Sequence, residues 1–247
     1  MTGLQKQHTL NSQVKIMGGK AMADLSKVIP CNPAGDALDE LYDAEYLHRD
    51  WLGLSEIGNP CNRYLWLRYH GHIPEKPDSK TLRLFEHGNV IEHHVIEDMR
   101  RAGFHVYAQQ REIEFEKDSV KLVGHIDGIV EGLKESSKPH LLEIKSANKA
   151  SFNKLEKLRS YEQWDEKYCA QIHVNAYLTR LERIFVVVYC KDDSRIYSER
   201  IRINEIYAKR ILSNAAYILN QEMPNISCNN SDYYVAKMCG FKKECFK

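Results

Sequence analysis

At Gly103 the hydrophobic period of this chain changes, and that change constrains the fold more than any other feature. Before it, Leu82, Phe85, Val90, Ile91, Val95, Ile96 and Met99 recur at helical spacing and predict a long helix over about residues 80–101, closed by Gly103. After it, FHVYAQ, EIEFE, VKLVGHIDGIV and HLLEIKS alternate with a period of two and read as strands. Lys117-Asp118-Ser119 and the polar stretch 134–139 supply the hairpin loops between them. A helix running into three or four consecutive strands predicts a mainly antiparallel sheet laid against that helix.

The remaining segments fit around this unit. Residues 150–168 are strongly charged and helical or loop-like, and YCAQIHVNAYLTRL predicts a second amphipathic helix. The apolar run IFVVVYC then makes a strand, so helix and strand form a crossover unit, with RIYSERIRI as a further strand and a third helix over 204–222. We divide the chain into an arm over 1–54 with one helix near 36–48, a cysteine-containing segment over 55–80, a core over 81–222 and a cysteine-containing tail over 223–247. There is no internal repeat.

Composition narrows the function classes. Lys and Arg number 35 against 34 Asp and Glu, so no bulk basicity marks a polyanionic partner, and any nucleic-acid surface must be a local patch. No apolar run approaches the roughly 20 residues a membrane helix needs, and the first residues lack the apolar core of a secretory signal, so a cytoplasmic protein without a membrane partner is expected. A phosphate loop of the G-x-x-x-x-G-K-[ST] type is missing, which removes support for ATP-driven chemistry. Seven cysteines are too few and too irregularly spaced for a disulfide scaffold. Cys31, Cys169 and Cys190 stand alone and read as inert thiols, whereas Cys61, Cys228, Cys239 and Cys245 flank the core and are candidates for a shared role.

The chemistry concentrates in two strands. Glu143-Ile144-Lys145 closes an apolar strand, and alternation puts Glu143 and Lys145 on one face. Upstream, GHIDG sets Asp127 between glycines that permit close approach of a ligand, and a hairpin would bring Asp127 beside Glu143. Convergent carboxylates repel unless a cation lies between them, and hard divalent cations such as magnesium prefer oxygen ligands. With that cation held, Lys145 can orient or help deprotonate an attacking water, which makes phosphodiester hydrolysis the reaction class. An isolated E-x-K more often marks a solvent-exposed strand end. The weight lies in the combination with GHIDG, with Gly88-Asn89-Val90-Ile91-Glu92 on the preceding helix and with Gln171 on the following one.

On these motifs, residues 55–247 resemble the PD-(D/E)XK nuclease superfamily, and within it the RecB-like exonucleases that include CRISPR-associated exonucleases and related phage proteins. The resemblance implies an α/β, restriction-endonuclease-like core in which a central mixed β-sheet is flanked by helices. It implies magnesium or manganese held by Asp127, Glu143 and the Ile144 carbonyl, with Lys145 as the catalytic lysine and Glu92 or the adjacent His93 as the helical ligand. Gln171 would help arrange the site; its alternative is a solvated helix residue. The tyrosine that usually follows four residues later is replaced by Asn175, and Tyr177 lies two further on. Histidines 87, 93 and 94 with Glu92 lack the H-E-x-x-H spacing of a zinc protease helix.

Part of this family carries one cysteine before the core and three after it, the last three as C-x2-C-x5-C, holding a [4Fe-4S] cluster that staples a helical appendage to the core. Cys61 matches the first ligand and Cys239 with Cys245 the x5 spacing, so the tail would pack back on the Cys61 segment. Ala236 stands where the second cysteine belongs, and Cys228, eleven residues before Cys239, is the nearby substitute. Free thiols or a zinc ion are the alternatives.

The resulting expectation is a metal-dependent DNA exonuclease acting on single-stranded or duplex ends in recombination, repair, phage DNA processing or spacer capture. Other recombination or CRISPR adaptation proteins are candidate partners, and an oligomer is compatible with the sequence. Arg63, Arg68, Lys149, Lys154, Lys157 and Tyr177, with Tyr64, Trp66, Tyr69 and Trp164 as stacking platforms, are candidate DNA contacts. For RYLWLRY the alternative is an amphipathic core segment whose aromatics pack inward and whose arginines are solvated. The alternative function is a DNA-binding or assembly module of the same fold, motivated by Ala236 and Asn175.

Overall fold

In a computed structural model, residues 32–49, 51–134 and 136–247 are described; Cys31 and the first part of the arm lie outside them. Helix α1 (Pro33–Glu45) precedes a 3-10 turn (Leu54–Glu56), α2 (Asn62–Tyr69) and the long α3 (Ser79–Arg101). Strands β1 (His105–Tyr107), β2 (Glu112–Lys117), β3 (Val120–His125), β4 (Gly128–Glu131) and β5 (His140–Ala147) follow. Helices α4 (Lys149–Leu158), α5 (Tyr161–Trp164) and α6 (Glu166–Thr179) lead to β6 (Arg183–Cys190), β7 (Ile196–Arg202), α7 (Glu205–Leu219) and two short tail helices, α8 (Tyr234–Lys237) and α9 (Lys242–Cys245).

The central sheet has the order β1-β4-β5-β6-β7. Its first two pairings and its last are antiparallel, as expected for the consecutive strands, and β5 and β6 run parallel, which makes the sheet the mixed one that the resemblance implies. The reason is topological. Two parallel neighbours cannot be joined by a hairpin, and α4 to α6 supply the crossover between β5 and β6.

The run 120–130, expected as one strand, is two. Residues 120–125 pair with β2 in a separate two-stranded sheet, and residues 128–131 pair with β1 and β5 in the central one. Ile126 and Asp127 are the step between sheets, which frees Asp127 from any ladder. The glycines that flank this step serve packing. A Cβ on Gly124 would stand 2.8 Å from Leu54 Cβ, and one on Gly128 would stand 3.2 Å from the Tyr107 carbonyl oxygen.

Each face of the sheet buries one parity of its strands. On one side Leu142, Ile144, Val130 and Val187 pack beneath Ile91, Val95, Ile96 and Met99 of α3. On the other, Leu141, Ile129, Ile184, Val186 and Val188 meet Phe152, Leu155, Trp164, Ile172, Val174 and Leu212. Burying each such aliphatic side chain contributes roughly 1.5–3 kcal/mol, so these two seams hold the layers together. Asp78 caps α3 by accepting from Thr81 N at 2.8 Å, and Arg100 and Arg101 in its last turn oppose the helix dipole.

Two helices depart from the expected pattern. Phe85 and Val90, counted in the apolar stripe of α3, are 60% and 56% exposed, because the first half of the helix extends past the sheet toward α1. Residues Ala170 to Ala176 of α6 are all buried, so this helix is enclosed between the sheet, α5 and α7 rather than amphipathic.

Candidate functional site

Asp127, Glu143, Lys145 and Glu92 come together at one end of β4 and β5. The antiparallel register pairs Gly128 with Leu142, which sets Asp127 opposite Glu143 one step further along. Glu143 and Lys145 share the strand face away from α3, and Lys145 Nζ stands 2.5 Å from Glu143 Oε1. Asp127 Oδ2 accepts a hydrogen bond from Ile144 N at 2.7 Å, which ties the two strands at the site. Glu92 reaches in from α3, where its Oε1 accepts from Gln110 Nε2 at 2.8 Å.

The electrostatics are those of charges crowded out of water. Glu143 is 1% exposed, and neither of its oxygens accepts a hydrogen bond of good geometry. Burial, relieved in part by Lys145 and reinforced by the charge of Asp127, pushes its carboxyl up to about 7. Burial and then Asp127 raise Glu92 to about 7 as well, and burial raises Asp127 itself. Burial disfavours the Lys145 ammonium, but Glu143 and Asp127 outweigh it and hold the lysine protonated. An ammonium held this firmly cannot take a proton from water, so of the two roles expected for Lys145 its surroundings favour orientation and charge stabilisation.

Buried acids with unpartnered oxygens and mutual repulsion fit a hard divalent cation. Among the described residues, the ligand atoms that all fall within 4.8 Å of one another belong to a different set, Glu162, Cys169 and His173.

The tighter trio is a brace rather than a cation site. His173 Nδ1 accepts from Asn204 N at 3.2 Å, so Nε2 carries the proton that it donates to Glu162 Oε1 at 2.8 Å. Both ring nitrogens are thereby engaged, and no lone pair remains for a metal.

The other residues singled out from sequence scatter around this centre. Gln171 is 5% exposed, which excludes a solvated helix residue. His93 follows Glu92 on α3, is exposed, and lines an open groove with Asn89, Glu92, Gln109 and Gln110. Lys154 lines a polar groove on the Lys145 side of the sheet with Ser146, Asn148, Ser151, Trp164 and Tyr168, and its Nζ donates to the Trp164 carbonyl at 2.8 Å. Lys149 Nζ lies 3.6 Å from Asp193. Tyr177 is turned toward α7, with Lys209 Nζ 5.4 Å from its ring centre.

RYLWLRY is a packing segment, but its arginines are not solvated as that reading expected, because backbone carbonyls of neighbouring segments take up their donors. Arg68 is buried and donates to the carbonyls of Arg49 and Trp51 at 2.9 and 3.0 Å. Arg63 donates to the Pro224 carbonyl at 2.8 Å, Trp66 to that of Gln221 at 3.0 Å, and Tyr64 packs edge-on against Phe241. These contacts fasten the tail to α2.

Along that seam Cys61, Cys228, Cys239 and Cys245 line one pocket, and Ala236 lines it too. Cys61 caps α2, its sulfur accepting from Tyr64 N at 3.4 Å and from Ser227 Oγ at 3.3 Å, while the Cys239 sulfur accepts from Phe241 N at 3.5 Å. Burial and the neighbouring thiols push Cys228 up; burial and the same neighbours raise Cys239 against the Phe241 amide.

Three residues at the acid centre carry no signal in the sequence. Tyr161 is fully buried with its hydroxyl unbonded to protein, and burial followed by the charge of Glu143 drives its phenol well above the usual value. The Tyr168 ring centre lies 5.4 Å from Lys145 Nζ. Gln110 arrives from a loop between strands. Each is local to an element whose packing, not its composition, brings it here.

Residues 57–182, 126 of the 247 in the chain, match the family described as YqaJ-like viral recombinase domain. No curated protein matches the sequence. Similar solved structures include SSO0001, at 14% identity over 87% of this chain and 96% of that one, with a TM-score of 0.48. They also include an alkaline exonuclease (LHK-Exo) from Laribacter hongkongensis, at 17% identity over 73% and 90% of the two chains, with a TM-score of 0.47. LHK-Exo in complex with dAMP matches at 16% identity over 69% and 86%, with a TM-score of 0.49.

Proposed function

The chain belongs to the family of YqaJ-like viral recombinase domains, a PD-(D/E)XK nuclease family, and from that premise we propose that it is a magnesium- or manganese-dependent DNA exonuclease acting in recombination. One observation carries the reading. The buried Glu143 carboxylate meets the Lys145 ammonium at 2.5 Å through one oxygen and leaves the other without a partner, and Asp127 and Glu92 crowd it with like charge. Asp127, Glu143, Glu92 and the Ile144 carbonyl would hold the cation, with His93 beside it in the groove. When bound, the cation would stabilise the charge that develops on the scissile phosphate and lower the pKa of the attacking water. Lys145, kept protonated, adds a fixed positive charge next to that phosphate and orients its oxygens. Tyr168 lies beside the lysine, its ring centre 5.4 Å from Lys145 Nζ, and Gln171 is buried in α6, the helix that packs on β5. Lys149 and Lys154 flank the same end of β5 and suit the DNA backbone.

Digestion of end-labelled single- and double-stranded DNA tests this, with magnesium, manganese or chelator and with Lys145→Ala beside the wild type. Metal-dependent loss of label in the wild type alone is expected. Binding without cleavage under every metal would instead favour a DNA-binding module of the same fold, and cleavage by Lys145→Ala at the wild-type rate would remove the site assignment.

The cysteine pocket belongs to the same proposal as the seat of a [4Fe-4S] cluster held by Cys61, Cys228, Cys239 and Cys245. The four cysteines line one pocket, and amide donors such as Tyr64 N and Phe241 N would stabilise sulfur ligands there. Protein purified without oxygen should contain iron; colourless, iron-free protein removes the cluster and leaves the nuclease reading intact.

A further inference from the structure

The loop joining β1 to β2 spans residues 108–111, and two of its residues, Ala108 and Gln110, take φ of 53° and 52° without being glycine. Such conformations persist only where the surroundings impose them, and here α3 does so at two levels. Arg100 Nη2 donates to the Val106 carbonyl at 3.0 Å and to Gln109 Oε1 at 2.6 Å. Two turns earlier on the same helix, Glu92 receives the 2.8 Å hydrogen bond from Gln110 Nε2. Within the loop, Arg111 N donates to the Ala108 carbonyl at 3.3 Å, and Ile126 N donates to the Arg111 carbonyl at 3.1 Å. The strained loop is thereby anchored both to α3 and to the step that carries Asp127.

We infer that Gln110 is a positioning residue for the cation site: its amide engages one oxygen of Glu92 and leaves the other directed at the position shared with Asp127 and Glu143. The inference rests on the reading of Glu92 as part of that site. A neutral amide suits the task better than a charged donor, since it orients the carboxylate without neutralising it and without competing with the cation. An arginine or lysine there would do both. Gln110, with its left-handed backbone, and its neighbour Gln109 both reach α3, the first at Glu92 and the second at Arg100.

Manganese binding by electron paramagnetic resonance, measured on the full chain without DNA, tests this in wild type, Gln110→Ala, Gln110→Met and Glu92→Ala. Both Gln110 variants should bind manganese about tenfold more weakly, as loss of outer partners does elsewhere, while the melting temperature of the metal-free protein stays unchanged. Wild-type affinity in both variants overturns the inference. Retention by Gln110→Met with loss in Gln110→Ala also overturns it, because the side chain would then only fill space. If Glu92→Ala weakens binding and the Gln110 variants do not, the inference fails alone. If the wild type binds no manganese, the metal-dependent reading fails and the inference falls with it.

Discussion

The carboxylates around Lys145 and the thiols around Cys61 are both sets of acidic side chains gathered where their charges repel, yet the chain assembles them differently. Asp127, Glu143 and Lys145 come from one hairpin and its entry, so local register brings them together whatever the distant parts of the chain do. Cys61 and the three tail cysteines are separated by the entire core, and their pocket closes through long-range contacts such as those of Arg63 and Trp66 of α2 with the carbonyls of Pro224 and Gln221. The first site is embedded in the sheet, with Asp127 and Glu143 buried; the second is a seam whose cysteines are all half-buried. The difference teaches that the acid site can fail chemically without unfolding, whereas damage to the cysteine pocket releases a segment of structure.

The strongest way to break this comparison is at the acid site. Glu143→Gln should lower the cleavage rate by roughly 10³-fold or more, because it removes a charge that the cation and Lys145 both need, while limited proteolysis still finds the tail docked. A tail that becomes protease-sensitive in this variant would mean that the two regions are coupled.

Substitution in the seam should do the reverse. Cys61→Ala removes a sulfur and the α2 cap together, so we expect iron content to fall close to zero, the tail to become protease-sensitive and the melting temperature to drop by several degrees. The manganese affinity of the acid site should stay at its wild-type value.

A pH titration sharpens the contrast further. Glu92 and Glu143 titrate near 7 in the folded protein, above the ordinary carboxylate value of 4.5. A carboxyl whose folded pKa is raised binds more protons in the folded than in the unfolded state between those values. The metal-free protein therefore gains stability from these groups as pH falls through about 7, and loses it as pH rises. Magnesium needs the ionised acids, so the rise in melting temperature that it produces should be larger at about pH 8 than at about pH 6. An equal rise at both values would detach the cation from these acids.

The smallest effect separates neighbours on α3. Glu92→Ala should weaken manganese binding strongly, while His93→Ala, exposed at the groove edge, should change it by no more than about twofold. The opposite order would move the helical ligand one residue along.

How far this was legible in the sequence follows from the range of the interactions. Period alone places α3 within a residue of its ends, because a 3.6-residue apolar repeat is a local consequence of packing one face. The E-x-K triplet predicts the shared face of Glu143 and Lys145, because strand alternation needs no knowledge of the partner strand. The same alternation could not reveal that 120–130 divides between two sheets, since both halves keep their period and only their partners differ. Nor could it reveal that α6 is enclosed, or that Phe85 and Val90 stay exposed, since those depend on what lies across from them.

By itself, then, the sequence determined the long helix, the strands, the Asp127–Glu143–Lys145 constellation and the residues able to form a cysteine pocket. Only the tertiary structure decided that 120–130 divides between two sheets, that RYLWLRY fastens the tail, that Lys145 keeps its proton and that Gln110 reaches Glu92. The reason is one of distance. Periodicity and hairpin register are set by neighbours along the chain, whereas burial, the field at a charge and the partner of a side chain are set by groups that only folding brings near.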